Sequence, residues 1–461
     1  MQTTKDNLSS EGLKRSLSNR QVQMLAIGGV IGVGLFYGAG LSVKIAGPGV
    51  IIDFIICGLL VAIVMRSLAE MTMENPISGS FSTYATKVLG PRIGFVTAGM
   101  WWFYWVTTAM SELAAIGKLV QFWFPQFQPW IPAAIALAFF TFSNLLTVKV
   151  FGEIEYWFAF LKVLAIAIFM IFGILIVTTG IFNHGNIVGL SNLWTHGGFL
   201  PNGILGLAMA ISLVVQAYSG IETLAVESGE TSNPARNVKK AFSTVTFRIG
   251  VLYVGSTFIM LAAFPWNFLT HHSGSPYVLL FSKIGIPIAA GVVNLIIIFS
   301  GLSSCNTGLY GGSRMLFGRS QGTRMQSFIG SLNTRKIPYI AVWITAGAIA
   351  IGIIITYLAP NRVYVWITSA SAFADLWVWA IILISELVFR KNSNAQGQKL
   401  KSPVPLWPAT PILGLVLVLG AFTAIVVSPL TRVSVFSGII WLAILWIYQL
   451  IFARKNLGSS N

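Results

Sequence analysis

The sequence predicts an all-α polytopic membrane protein with twelve transmembrane helices, and three observations predict it. The chain is 55% hydrophobic and only 9% charged, whereas an ordinary soluble domain is roughly 25% charged. Apolar stretches recur at about the twenty residues a helix needs to cross a hydrocarbon core, as in "VLAIAIFMIFGILIVTTG" at 163–180 and "IAVWITAGAIAIGIIITYLA" at 340–359. The basic residues are also one-sided. With the N-terminus inside, all of the 29 lysines and arginines except Lys44, Lys118, Lys162, Lys283, Arg362 and Arg432 fall on the inner side or at inner span ends, as the positive-inside rule requires. That asymmetry accounts for the net charge of +16, so no nucleic-acid partner is needed.

The elements follow in order from the apolar runs. A polar tail, 1–21, carries Lys5, Lys14, Arg15 and Arg20, and with no cleavable signal ahead of the first span it is expected to stay inside. Spans 1 to 5 are read at 22–45, 48–70, 94–122, 130–149 and 155–179. With the outer loop that follows, they form a first unit over 22–202. Spans 6 to 10 are read at 203–227, 242–264, 287–312, 338–358 and 363–388, a second unit over 203–388. A basic inner loop at 389–408 precedes spans 11 and 12 at 409–428 and 434–453, and a tail at 454–461 ends the chain inside. Cys57 and Cys305 both lie in apolar runs, so no disulfide framework is indicated. His184, His196, His271 and His272 fall in outer loops without metal-ligand spacing.

Span 1 contains "GGVIGVGLFYGAG" at 28–40, six glycines in thirteen positions, although each costs about 1 kcal/mol against alanine inside a helix. Span 6 is interrupted in a similar place by "QAYSGIETLAVESGETSNP" at 216–234. The two spans are five apart and therefore cross in opposite directions. Paired interruptions of this kind mark an inverted repeat with the substrate site at its interface. Unwound backbone survives in a membrane only where protein buries it or it lines a cavity. Gly32 and Gly34 let a ligand approach the main chain. The half-helix beyond them offers N–H groups that suit a carboxylate, and the break in span 6 offers carbonyls that suit an ammonium group. Together they describe a receptor for an α-amino acid zwitterion. The competing reading takes Gly28/Gly32 and Gly34/Gly38 as helix-packing pairs; the matching break in span 6 favours the broken helix.

Several long motifs in order then carry a resemblance. They include "RSLSNRQVQMLAIGGVIGVGLF" (15–36), "AGPG" (46–49), "VMRSLAEM" (64–71), "QFWFP" (121–125), "VKVFGEIEYWFAFLKVLAI" (148–166), "GIETLAVESGETSNP" (220–234) and "SSCNTGLYGGSRMLFG" (303–318). On these the chain resembles bacterial amino acid permeases of the amino acid–polyamine–organocation superfamily, in its amino acid transporter family, nearly end to end. The resemblance implies a LeuT-type fold, with spans 1–5 and 6–10 as a 5+5 inverted repeat and two further C-terminal helices. It implies import of an α-amino acid across the cytoplasmic membrane of a bacterium, usually by proton symport with alternating access. No other cofactor is expected, and no partner beyond the amino acid and membrane lipid. Carried over by position, the carboxylate-binding segment falls on Gly32, Val33 and Gly34. Carbonyl ligands for the amino group fall on Val30, Ala217, Tyr218 and Ser219, beside Gly220, and the aromatic gate falls near Gln216 or Tyr218. The chain departs from the family at Val33, where a Thr or Ser is usual, and at Gln216-Ala217-Tyr218, where Phe-x-Phe is usual.

Ionisable groups within the spans are functional candidates because they are costly to hold there. Lys162 lies about eight residues into span 5, roughly 12 Å at helical rise, deep for a snorkelling lysine. It is assigned to proton coupling, donating to carbonyls near Gly28 and Gly29 as a lysine at this point of the motif is thought to do in the related permeases. Burial disfavours a charged amine while carbonyl contacts favour it, a balance that suits a proton carrier. Glu112, in the outer half of span 3, is read either as a second coupling group or as a structural carboxylate. Glu222 either touches the transport path or stabilises the break it follows. Glu227 and Glu230 are read as gate or loop pairs. Asp375, near the middle of span 10, is read as cavity-facing and tied to selectivity or gating, whereas Asp53 is expected to be interfacial and solvated. An exchanger of the same fold is the alternative within transport. A polytopic membrane enzyme would need a nucleophile with a base, a metal cluster or a cofactor motif, and none is visible. A non-transporting receptor would need no coupling residue. No Walker-type phosphate loop appears.

Overall fold

The computed structural model describes residues 31–74, 80–145, 151–180, 185, 187–223, 250–271, 274–320, 326–335 and 337–457. Among these residues the secondary structure is helical and no strand occurs. The described part of the first span holds a π-helical turn, Gly34–Gly38, and continues as α1, Ala39–Ala46. There follow α2 (Val50–Glu74), α3 (Ser80–Leu89), α4 (Pro91–Val120), α5 (Trp130–Asn144), α6 (Phe151–Thr179) and α7 (Gly203–Tyr218). After them come α8 (Gly250–Ala263), α9 (Trp266–His271), α10 (Pro276–Lys283), α11 (Pro287–Ser320) and α12 (Gln326–Ile329). The chain ends with α13 (Tyr339–Leu358), α14 (Val363–Ala395), α15 (Ala409–Val427) and α16 (Arg432–Leu457).

Each apolar run read from the sequence overlaps one of these helices. Among the described residues seven stretches are long and apolar enough to cross a membrane, and α5, α7 and α8 are shorter apolar helices. Among the described residues, the short helices α3, α9, α10 and the single turn α12 had no counterpart in the sequence reading; α12 lies between the runs read as spans 8 and 9. The residues of α3 that turn inward, Phe81, Tyr84 and Ala85, repeat at helical spacing, but ten residues are too few to stand out as a span. Helices α9 and α10 lie between the runs read as spans 7 and 8.

Burial sorts the long helices into two roles. The apolar windows of the Gly34–Glu74 stretch and of α14 are 67% buried within the protein, whereas those of α15 and α16 are 28% and 22% buried. Ile351 and Ile354 on α13, Val416 and Leu419 on α15, and Ile440 and Ile447 on α16 are all exposed. Such rows of exposed aliphatic side chains on span-length helices face lipid. At the centre stands α4, which packs against α11, α14, α13, α5, α3 and α16. The other core helix, α7, packs against α1, α2, α14 and α15 and touches the π-helical turn.

Asp53 corrects an expectation. It is buried at 3% exposure, not solvated, because α2 is enclosed by α7, α14 and α15 and this side chain lies on an inward-turned part of the helix. Near the other end of α2 a buried polar cluster fixes the segment between α14 and α15. Arg66 donates to Ser402 Oγ and to the Pro403 carbonyl, both at 2.8 Å. Arg390 pairs with Glu70 at 3.2 Å and donates to the Val404 carbonyl at 2.8 Å. The Val404 N–H donates back to Glu70.

Candidate functional site

The glycine-rich stretch of the first span meets the interruption of span 6. Ile31 and Gly32 are non-helical and a helix begins at Val33. A methyl group placed on Gly34 would sit 3.2 Å from the Ala217 Cα, so no side chain separates the first span from the end of α7. Beyond Tyr218 the helix stops: Ser219 is extended at φ −65°, ψ 150°. Gly220 takes φ +91°, a conformation that glycine adopts without steric cost.

A small cavity lies against this contact. Its backbone wall is Gly32 and Gly34 from the first break, with Ala217 and Ser219 from the second. Tyr104, Trp105, Thr108 and Glu112 enter from α4, Gln216 from α7 and Ser304 from α11. Tyr104, Thr108 and Glu112 recur every four residues and so share one face of α4.

The carboxylate end of the cavity is already occupied by a carboxylate of the protein itself. The Val33 N–H, at the start of the helix, donates to Glu112 Oε2 at 3.1 Å. A methyl group on Gly32 would collide with Glu112 Oε1, so glycine there gives this carboxylate its room. A helix start with unused N–H groups favours an anion. Ser300 on α11 satisfies the neighbouring carbonyl, donating to Ile31 O at 2.9 Å.

Lys162 is 1% exposed and donates to Ser303 Oγ at 3.0 Å. It lies near enough to Glu112 for their charges to act on each other. Gly28, Gly29 and Val30, like Glu227 and Glu230, lie outside the described residues. The other predicted residues separate into two groups. Gly32, Gly34, Gln216, Ala217, Ser219 and Glu112 line the cavity, and Val33 supplies the N–H beside it. The Tyr218 ring turns away: its hydroxyl donates to the Phe54 carbonyl at 2.9 Å, and it packs on Tyr253 at 4.8 Å between ring centroids. Gln216 and Tyr218 are two positions apart, roughly 200° around a helix, so they do not share a face.

Glu222 and Asp375 are fully buried behind the cavity and do not line it. They are close enough to interact electrostatically, and Trp379 Nε1 donates to Glu222 Oε2 at 3.4 Å. Asp375 also interacts with the Ser219 side chain at the end of α7.

The sequence reading named Glu112 but not Tyr104, Trp105 or Thr108 of α4, nor Ser300, Ser303 and Ser304 of α11, as site residues. The spacing was visible: Tyr104, Thr108 and Glu112 recur every four residues, and Ser300, Ser303 and Ser304 stand at i, i+3 and i+4; such polar stripes in a membrane helix face protein or a cavity.

Residues 21–458 match the family described as "Amino acid permease". Over 97% of both chains, this one is 40% identical to a Bacillus subtilis (strain 168) protein named "Uncharacterized amino acid permease YtnA". It is 36% identical, over 98% of each chain, to the "Probable threonine/serine transporter YbxG" of the same organism. It is also 36% identical, over 97% of each, to the "Aromatic amino acid transport protein AroP" of Escherichia coli O6:H1. The relatives' names cover different side-chain classes.

Proposed function

The chain belongs to the amino acid permease family, and from that premise we propose that it imports an α-amino acid across the cytoplasmic membrane of a bacterium by proton symport. Its two termini lie on the cytoplasmic side, and access to the cavity alternates between the two faces. The hydrogen bond from the Val33 N–H to Glu112 carries this reading. A substrate carboxylate needs the donors at the start of a half-helix, and Glu112 holds one of them. Two carboxylates at one donor repel each other unless one takes a proton. Protonation of Glu112 frees the N–H for the substrate, so amino acid and proton are carried together. Lys162, on Ser303 and within electrostatic reach of Glu112, is the neighbouring cation in this exchange. The carbonyls of Ala217 and Tyr218, at the end of α7 with no following turn to bond them, receive the ammonium group.

Uptake by proteoliposomes with imposed gradients tests this. Accumulation should need no sodium, rise with an inward proton gradient and collapse with a protonophore. Glu112→Gln, neutral at every pH, should bind substrate with little pH dependence and lose gradient-driven accumulation. Lys162→Met should lose it too. A strict sodium requirement, or full proton-driven accumulation by Lys162→Met, overturns the mechanism.

A further inference from the structure

Resting on that reading of the cavity, we infer that Gln216 reads the substrate side chain and that the site selects short α-amino acids bearing a side-chain hydroxyl, threonine and serine foremost. The carboxylate and ammonium ends are backbone, so discrimination falls to the side chains that line the rest of the cavity. Gln216 is the polar group there whose orientation is fixed from behind. Its Nε2 donates to Thr108 Oγ1 at 3.3 Å, Thr108 and Ser371 share a 2.7 Å hydroxyl contact, and Ser371 Oγ donates to the Tyr104 carbonyl at 3.5 Å. These bonds run in one direction, from Gln216 through Thr108 and Ser371 to backbone. The chain uses the amide N–H and leaves Gln216 Oε1 as the free end.

Gln216 is 7% exposed, and its Oε1 has no hydrogen-bond partner among the described residues. A buried acceptor without a donor is costly, and a ligand that brings the donor recovers that cost. A hydroxyl two bonds from the Cα is the short group that does so, and its own lone pairs tolerate either end of the amide. The Tyr104 and Trp105 rings close the wall of the cavity, which leaves room for a short side chain.

Threonine and valine have the same shape and differ by a hydroxyl for a methyl, so they isolate this interaction. Affinities of the purified full-length protein for glycine, alanine, serine, threonine, valine, leucine and phenylalanine are measured by titration calorimetry or ligand-dependent thermal shift. Threonine should bind at least about tenfold more tightly than valine, because a site that hydrogen-bonds a substrate hydroxyl rejects the analogue lacking it. Gln216→Leu should weaken threonine at least about tenfold more than alanine. Thr108→Val, which removes the acceptor that holds the amide, should give a smaller change of the same sign. Valine binding as well as threonine, or a threonine-to-valine ratio unmoved in both variants, overturns the inference while leaving amino acid transport standing. Failure of every amino acid in the panel to bind or be taken up overturns both.

Discussion

At the scale of single residues, the site depends on backbone left uncovered. Gly32 sits against the Glu112 carboxylate with no room for a methyl group, so Gly32→Ala should push Glu112 off the Val33 N–H. The expected outcome is a fall in uptake of at least about tenfold, as small displacements in a preorganised site cost that much or more, in protein that still elutes as a single folded species by size exclusion. An amino acid ester, lacking the charge that competes with Glu112, should bind far more weakly than the free acid; equal affinity removes Gly32 and Val33 from the carboxylate site. The glycines of the first break were legible in the sequence because they are expensive in a helix and recur opposite a second break. The Glu112 contact was not, since its partner is 79 positions away in the chain and only packing of α4 on the break brings them together. The direction of Tyr218 was hidden for a similar reason: a backbone position carried over by motif does not say which helix face its ring takes.

At the scale of elements, span length made the long helices readable, and short amphipathic helices escaped because ten residues carry no length signature. The segment 402–404 was read as a basic inner loop, yet it is held by buried charge. Glu70 and Glu386 are both 0% exposed, and no group among the described residues bonds the Glu386 oxygens. Arg390, hydrogen-bonded to Glu70 and to Val404, is thus the cation offsetting two acids. Removing one partner of a buried pair leaves the other uncompensated and costs about 3–5 kcal/mol. Arg390→Met should therefore lower the thermal midpoint of the purified protein by several degrees. Arg390→Met with Glu70→Gln should recover part of the loss, and the ranking of amino acid ligands should not change. An unaltered midpoint in Arg390→Met would show that the cluster is solvated instead.

At the scale of the whole molecule, lipid-facing rows on α13, α15 and α16 surround a core in which α4 and α7 hold the two breaks. The apolar period and the charge asymmetry foretold that division, but they did not reveal how the loop helices attach to the site. The π-helical turn Gly34–Gly38 is the place to look. Turns of this kind disturb the regular bonding of a helix and often mark functional positions. Here the Phe36 carbonyl accepts from Ser275 Oγ at 2.7 Å, and the same hydroxyl accepts from the Tyr277 N–H at 3.3 Å to cap α10. Phe36 and Tyr277 also meet edge to face at 5.0 Å. The short helix α10 is thereby tied to the half-helix proposed to receive the substrate carboxylate, so it should travel with that half-helix as occupancy changes. Both native cysteines, Cys57 and Cys305, are buried, and Ser282 on α10 is exposed. A fluorophore attached through Ser282→Cys would thus be a selective optical reporter of site occupancy. Its emission should shift on adding a transported amino acid, and the shift should vanish when Ser275→Ala cuts the connection.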